Sequence, residues 1–202
     1  MKKEFELKEL PYAYDSLEPF FDEETMRIHH DKHHRAYTEK FNKGLEQHQE
    51  YFDEPAEELL RRLYDLPKEI QTSVRNNGGG YVNHNFFWSI LGKEKEFEGE
   101  ISTAIIETFG SYNEFKKLFS EIALSQFGSG WAWVVMNDKG ELEITKTSNQ
   151  DSPLTDNKIP LIALDVWEHA YYLKFQNKRE EFIEAFFNVI NWEKVNELYA
   201  EA

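Results

Sequence analysis

The sequence predicts an α+β protein: a long helical hairpin first, then helices around a small antiparallel sheet. Three observations carry this. The stretch from 23 to Gly44 runs without proline, and a second helical region follows from about 54 to 92. "WAWVVMNDKGELEITKT" holds two β-rich runs around a turn signal, and "KIPLIALDV" is a third, nearly all-apolar run. Between the two patterns lies "KEKEFEGE", a charged stretch that reads as an exposed linker. The expected division is 1–92, a helical hairpin domain, and 93–202, a mixed domain.

Taken in order, residues 11–22, "PYAYDSLEPFFD", hold two prolines and read as an extended lead-in. Asp22 or Thr25 can cap the first long helix, expected from about 23 to the high forties. The second helical region is punctuated by Pro67 and by the glycines 78–80. Two long helices and a short loop make a hairpin. After the linker, "STAIIETFGSYNEFKKLFSEIALSQFGSG" gives two helices. Ser111 with Glu114 three residues later forms a capping box for the second. The strands follow, and the pattern is helical again from Trp167. No internal repeat or low-complexity tract interrupts this plan.

Composition excludes several classes of function. The chain has 202 residues, 40% of them hydrophobic and 15% aromatic, enough for a sizeable core. No run of 18 apolar residues exists, so no transmembrane helix is expected. The start, "MKKEFELKEL", lacks the apolar stretch of a signal peptide. There is no cysteine, hence no disulfide framework and no thiolate site. These features point to a cytoplasmic location. Acidic residues number 38 against 23 basic, a net charge of −15, which argues against nucleic acid and anionic membrane as partners. A small anionic substrate would need a local basic patch, since charges beyond about 8–10 Å are screened at physiological salt.

The chemistry is concentrated in "LDVWEHAYYLKF", 164–175, where Asp165, Glu168 and His169 stand among aromatic residues. Buried acids and histidines cost several kcal/mol unless paired or bound to metal. Asp165 ends the apolar strand, and His169 follows four residues later, so the two can converge. The competing reading is an Asp that caps a helix with a buried His behind it. "HHDKHH" places His29 with His33, and His30 with His34, on shared helix faces, and Tyr37 extends the first. Solvated histidines on a polar face are the plain alternative. His84, in "NHNFFW", is a ligand candidate or a core histidine bonded to a carbonyl. Three histidines from separate segments with one Asp make an N₃O set suited to manganese, iron or zinc. Glu168, beside His169, is a candidate to orient a ligand or to sit in an interface. Trp88, Trp131, Trp133 and Trp167 are candidates for a dry wall around the site, or plain core.

The chain resembles the iron/manganese superoxide dismutases. "LPYAYDSLEP", "HHDKHHRAY", "NNGGG..NHNFFW", "FGSGWAWVV", "NQDSPL" and "DVWEHAYYLKFQNKR" carry the resemblance, in order, from about residue 10 onward. It implies a three-stranded antiparallel sheet flanked by helices in the second domain. It implies one manganese ion per subunit, with iron as the other possibility, held by His29, His84, Asp165 and His169. His30 and His34 are then structural or surface residues. The implied reaction converts superoxide to dioxygen and hydrogen peroxide, with Tyr37 and Gln150 as the inner hydrogen-bond partners of the site. The implied assembly is a homodimer, in which Glu168 meets the partner's ligand histidine and Tyr172 meets His33. Lys32 and Lys178 match cationic positions near the channel mouth, the second being Lys where the family typically has Arg, so charge is kept but the fork is lost. Tyr81 and Val82 replace the His and Ala of many manganese members. Iron-type members carry their inner Gln at the position of Gly80, so Gln150 marks the manganese arrangement. Ile162 and Ala163, just before Asp165, are further candidates for tuning the metal. A non-catalytic metal-binding relative is the competing class, against which the ligand set with Tyr37 and Gln150 argues. A hydrolytic zinc site would want an ionised base where the resemblance places a phenol and an amide.

Overall fold

The computed structural model describes residues 3–93 and 95–202; residue 94, inside the expected linker, and residues 1 and 2, at the start of the expected hairpin domain, lie outside the described residues. The lead-in is turn-rich rather than extended. Its amides bond back three or four residues, as in Ser16 N–H to the Ala13 carbonyl and Phe21 N–H to Leu17. Local closure lets Leu17 and Phe21 reach the core, where both are buried.

Asp22 caps the first helix, accepting the Thr25 N–H at 3.0 Å. Glu23–Ile28, His29–His34 and Arg35–Gly44 then run on as one helix, α1. Its middle segment is π-helical, with the Arg35 N–H bonded to the His30 carbonyl five residues back. α1 stops at Gly44, short of the high forties. A Cβ at Gly44 would overlap Ser73 of the facing helix, and Leu45 leaves the helical region (φ −101°, ψ 2°) while burying its side chain.

Ala56–Arg61 forms the short α2. α3 spans Lys68–Ser73, a second π-helical segment Val74–Gly78, and Gly79–Ser89 without a break. Pro67 precedes it as expected. The glycines 78–80 do not punctuate it; they let it approach its neighbours. A Cβ on Gly78 would press Phe41 and one on Gly80 would strike the Tyr37 ring, so α1 and α3 cross at van der Waals contact there. Phe41, Leu59, Leu60 and Val74 fill the core under this hairpin.

Glu100–Phe109 (α4) and Tyr112–Ser125 (α5) follow. Ser111 accepts the Glu114 N–H at 3.1 Å, one half of the expected capping box. Gly130–Met136 (β1) and Leu142–Ser148 (β2) pair antiparallel around "NDKG", with Trp131 opposite Thr147. Ile159–Asp165 (β3) pairs antiparallel with the other edge of β1, so the order is β2-β1-β3. β1 is central and buried on both faces, which explains its apolar run. Tyr172–Phe175 (α6), Arg179–Phe186 (α7) and Trp192–Glu201 (α8) complete the fold. The larger core, with Trp131, Phe115, Phe119, Phe182 and Trp192, lies between these helices and the sheet. No helix of the described residues is long and apolar enough to cross a membrane.

Candidate metal centre

Four segments deliver one side chain each to a single point. His29 opens the π turn of α1, His84 lies in α3, Asp165 ends β3 and His169 follows in the turn after it. One nitrogen or oxygen from each lies within 4.8 Å of all the others. The Nε2 atoms of His29, His84 and His169 stand 3.1, 3.4 and 3.1 Å from Asp165 Oδ2. Asp165 Oδ1 faces away and accepts the Trp167 N–H at 2.8 Å, which fixes the carboxylate.

The chemistry of this set fits a cation. His84 Nδ1 lies 2.6 Å from the Gly80 carbonyl, which can only accept, so the proton is on Nδ1. Nε2 then carries a lone pair, buried and without a hydrogen-bond partner, facing a carboxylate oxygen. Two lone pairs 3.4 Å apart repel unless a positive ion lies between or beside them. One carboxylate and three imidazoles are the donors that manganese or iron takes.

Hydrophobic neighbours keep the group dry. Trp131 meets His84 edge to face at 5.2 Å, Trp88 meets His29 at 4.8 Å, and Trp167 stacks on His169 at 5.2 Å. Trp133 stands one layer back, stacked on Trp131 at 5.5 Å. His30 and His34 are both buried. His34 is a strut: its Nε2 donates to the Tyr81 carbonyl at 3.2 Å, and its Nδ1 accepts from the Trp88 indole at 3.2 Å. Tyr81 packs on Phe5 and Phe41, and Val82 beside it is in the hairpin core. Ile162 and Ala163 are fully buried on β3.

The two inner partners also converge. Gln150 Nε2 donates to the Tyr37 hydroxyl at 3.1 Å, and Gln150 Oε1 accepts from the Trp131 indole at 3.1 Å. The tryptophan fixes which end of the amide points at Tyr37. Burial raises the Tyr37 pKa against the lowering effect of the Gln150 hydrogen bond. The phenol therefore keeps its proton at neutral pH. His33 stacks on His169 at 4.2 Å, while Glu168 and Tyr172 are exposed in the single chain.

Lys32 is exposed on α1. Lys178 is exposed too and pairs with Glu181, in the first turn of the helix that follows it, at 2.8 Å. The fixed cation is its neighbour. Arg179 forks to the carbonyls of Gln126 and Gly128 at 2.6 and 3.0 Å and donates to the Tyr171 hydroxyl at 3.2 Å. The fork missing at Lys178 is present one residue later. In "NKRE" the signal was the guanidinium, whose planar donors suit two carbonyls where an ammonium does not.

Two family models match the chain. The α-hairpin domain of iron/manganese superoxide dismutases matches residues 4–92, and their C-terminal domain matches residues 97–198. The chain belongs to the iron/manganese superoxide dismutase family. It is thus an oxidoreductase acting on superoxide, of a family that binds manganese or iron.

The buried histidines also set a pH dependence. Burial pushes His29 down to about 4 and His34 to about 2, and holds His84 well below the ordinary 6.5. Below pH 6.5 the unfolded chain binds protons at these residues that the folded chain does not. Stability therefore falls as pH drops from 6.5 towards 4, by at most about 1.4 kcal/mol per unit for each histidine. Asp165 acts later: burial would raise its pKa, but His169 and His29 together hold it low, so its contribution is lost only below the usual carboxylate range. The metal-free protein should show urea midpoints that fall steeply between pH 6.5 and 5. A flat profile over that interval would contradict this account.

Proposed function

We propose that this superoxide dismutase works with manganese, as a symmetric homodimer, with one ion per subunit held by His29, His84, Asp165 and His169. The observation that carries the metal choice is the origin of the inner amide. It comes from Gln150, while a side chain at Gly80 would strike the Tyr37 ring. When bound, the ion supplies the one-electron chemistry of both halves of the dismutation. The protein's part is to bind, orient and guard. The three imidazoles and one carboxylate fix the ion, and Trp88, Trp131 and Trp167 exclude bulk water. Tyr37 holds a proton at its hydroxyl beside the site, and Gln150 orients that hydroxyl. Lys32 supplies positive charge on a chain of net charge −15. The halves 1–92 and 93–202 each bring two ligands, so the ion would also pin them together.

The test of the metal is reconstitution of the metal-free protein with each ion separately, followed by assay of superoxide removal against metal content. The manganese form should be clearly the more active, with some activity in the iron form. A more active iron form would overturn the choice.

Support for the dimer comes from groups left open in the single chain. Among the described residues, His169 Nδ1 and the Glu168 carboxylate have no hydrogen-bond partner, and ligating histidines need one on the second nitrogen. Tyr172 and Leu173, a few residues further along the chain, are about half exposed. An isologous contact would set Glu168 of each chain on His169 of the other, and Tyr172 on His33. Glu168→Ala should weaken the dimer by about 2 kcal/mol or more and loosen the metal with it. Sedimentation and metal content measured together would check this. A metal-replete, fully active monomer at low concentration would sink the dimer reading.

A further inference from the structure

The segment carrying Gln150 lies between β2 and β3, yet one stripe of α3 grips it. Arg75, Gly79 and Asn83 are spaced four residues apart along that helix. Arg75 donates from Nε and Nη2 to both carboxylate oxygens of Asp151, each at 2.6 Å. A Cβ on Gly79 would overlap the Gln150 carbonyl oxygen, so the helix backbone itself bears on the segment. Asn83 Nδ2 donates to that carbonyl at 3.1 Å and to the Asp151 carbonyl at 3.5 Å. Asn83 is 1% exposed, and its Oδ1 has no hydrogen-bond partner. An apolar side chain would avoid that orphaned oxygen, so what favours an amide there is its donor. On its sheet side the segment is tied at Asn149, whose N–H donates to the Ser129 carbonyl and whose carbonyl accepts from the Trp167 indole at 2.9 Å, and by the turn bond from Asp151 N–H to Ser148. Beside these, α3 holds Gln150 and Asp151 themselves.

We infer that Arg75, Gly79 and Asn83 form a positioning device for the Gln150 amide, with the Arg75–Asp151 fork as its outer clamp. The inference rests on the reading of Gln150 as the amide that serves the metal site. The physical reason is reach. Gln150 must meet Trp131 at one end of its amide and Tyr37 at the other, both at 3.1 Å, so where its backbone is held decides whether both bonds can be made at once. A backbone shift lengthens one of the two bonds as it shortens the other, and so weakens the hold on the amide. The fork is bidentate and charge-assisted, the geometry in which an exposed pair fixes position best.

The test uses manganese-loaded protein with Arg75→Ala, Asp151→Ala, the alanine double variant, and the exchanged pair Arg75→Asp with Asp151→Arg. Hydrogen exchange over 149–152 and the reduction potential of the bound manganese are both read. Each single variant should speed exchange on the order of threefold, as loss of an exposed ion pair allows. Each should move the potential in the same direction as Gln150→Ala, by less. The double variant should add nothing further, and the exchanged pair should restore both readouts. Unchanged exchange overturns the inference. So does faster exchange with an unmoved potential, provided Gln150→Ala moves it, because the clamp would then be structural alone. If Gln150→Ala leaves the potential in place, the reading of Gln150 fails instead. The clamp is then judged by exchange: faster in both single variants supports it, unchanged overturns it.

Discussion

Asp165→Ala is expected to leave the protein without stoichiometric metal and without detectable dismutase activity. Asp165 is the one carboxylate of the four-residue group, and all three histidine Nε2 atoms lie within 3.4 Å of its Oδ2. Removing it leaves three neutral imidazoles to hold a multiply charged ion in a buried site, with no negative charge to offset it. His169→Ala should have the same outcome by another route, since it opens the side of the group that ends in Trp167. Metal content after loading, measured beside superoxide removal, decides it. The stability conferred by binding should vanish as well, about 2.7 kcal/mol at metal a hundredfold above its dissociation constant. The thermal midpoint of either variant should then no longer rise with added metal. Stoichiometric metal in both variants would refute the ligand assignment. Circular dichroism guards against an unfolded variant passing as a metal-free one.

Most of this centre is legible in the sequence because its parts are chemically unusual where they stand. An Asp at the end of an apolar strand, a His four residues on, and a His inside "NHNFFW" each demand compensation if buried. The sheet was legible for a similar reason: β1 and β3 are runs of apolar residues too short for helices, and "NDKG" closes the hairpin. The ends of α1 and the path of α3 were not legible, and the cause is tertiary. Glycines 78–80 look like breaks because glycine weakens an isolated helix by about 1 kcal/mol per residue. Here the close approach of α1 and of the Gln150 carbonyl outweighs that loss, and a helix with larger residues could not pack there. The lead-in misread as extended has the same origin. Its two prolines restrict local conformation, while the burial of Leu17 and Phe21 draws the chain into turns. The π-helical segments left no mark in composition, yet each adjoins the site: one begins at His29, the other holds Arg75 and ends at Gly78. Such segments are frequent at functional sites because the extra residue re-aims side chains without ending the helix.

Gly80→Ala tests that argument with one methyl group. In an ordinary helix this change stabilises by up to about 1 kcal/mol. Here the new Cβ would lie 2.5 Å from two carbons of the Tyr37 ring, well inside contact distance. The ring has little room to retreat: it packs against His84 with centroids 5.4 Å apart, and its hydroxyl is held by Gln150. Overpacking of this kind costs about 1–3 kcal/mol, which exceeds the propensity gain, so the net effect should be a loss. The unfolding midpoint should fall, and activity should fall with it as Tyr37 leaves Gln150. A double-mutant cycle isolates the clash. With Tyr37→Ala already in place the ring is gone, and Gly80→Ala should be neutral or stabilising on that background. The sign of the change would thus reverse between the two backgrounds. Retention of both midpoint and activity in Gly80→Ala alone would show that the helices can separate there freely. The same contact bears on the inner amide. A glutamine at position 80 would carry this Cβ clash and a longer side chain besides, so in this chain Gly80→Gln should displace Tyr37 before it could replace Gln150. Gly80→Gln combined with Gln150→Ala should accordingly be less active than Gln150→Ala alone, whichever of the two metals is loaded.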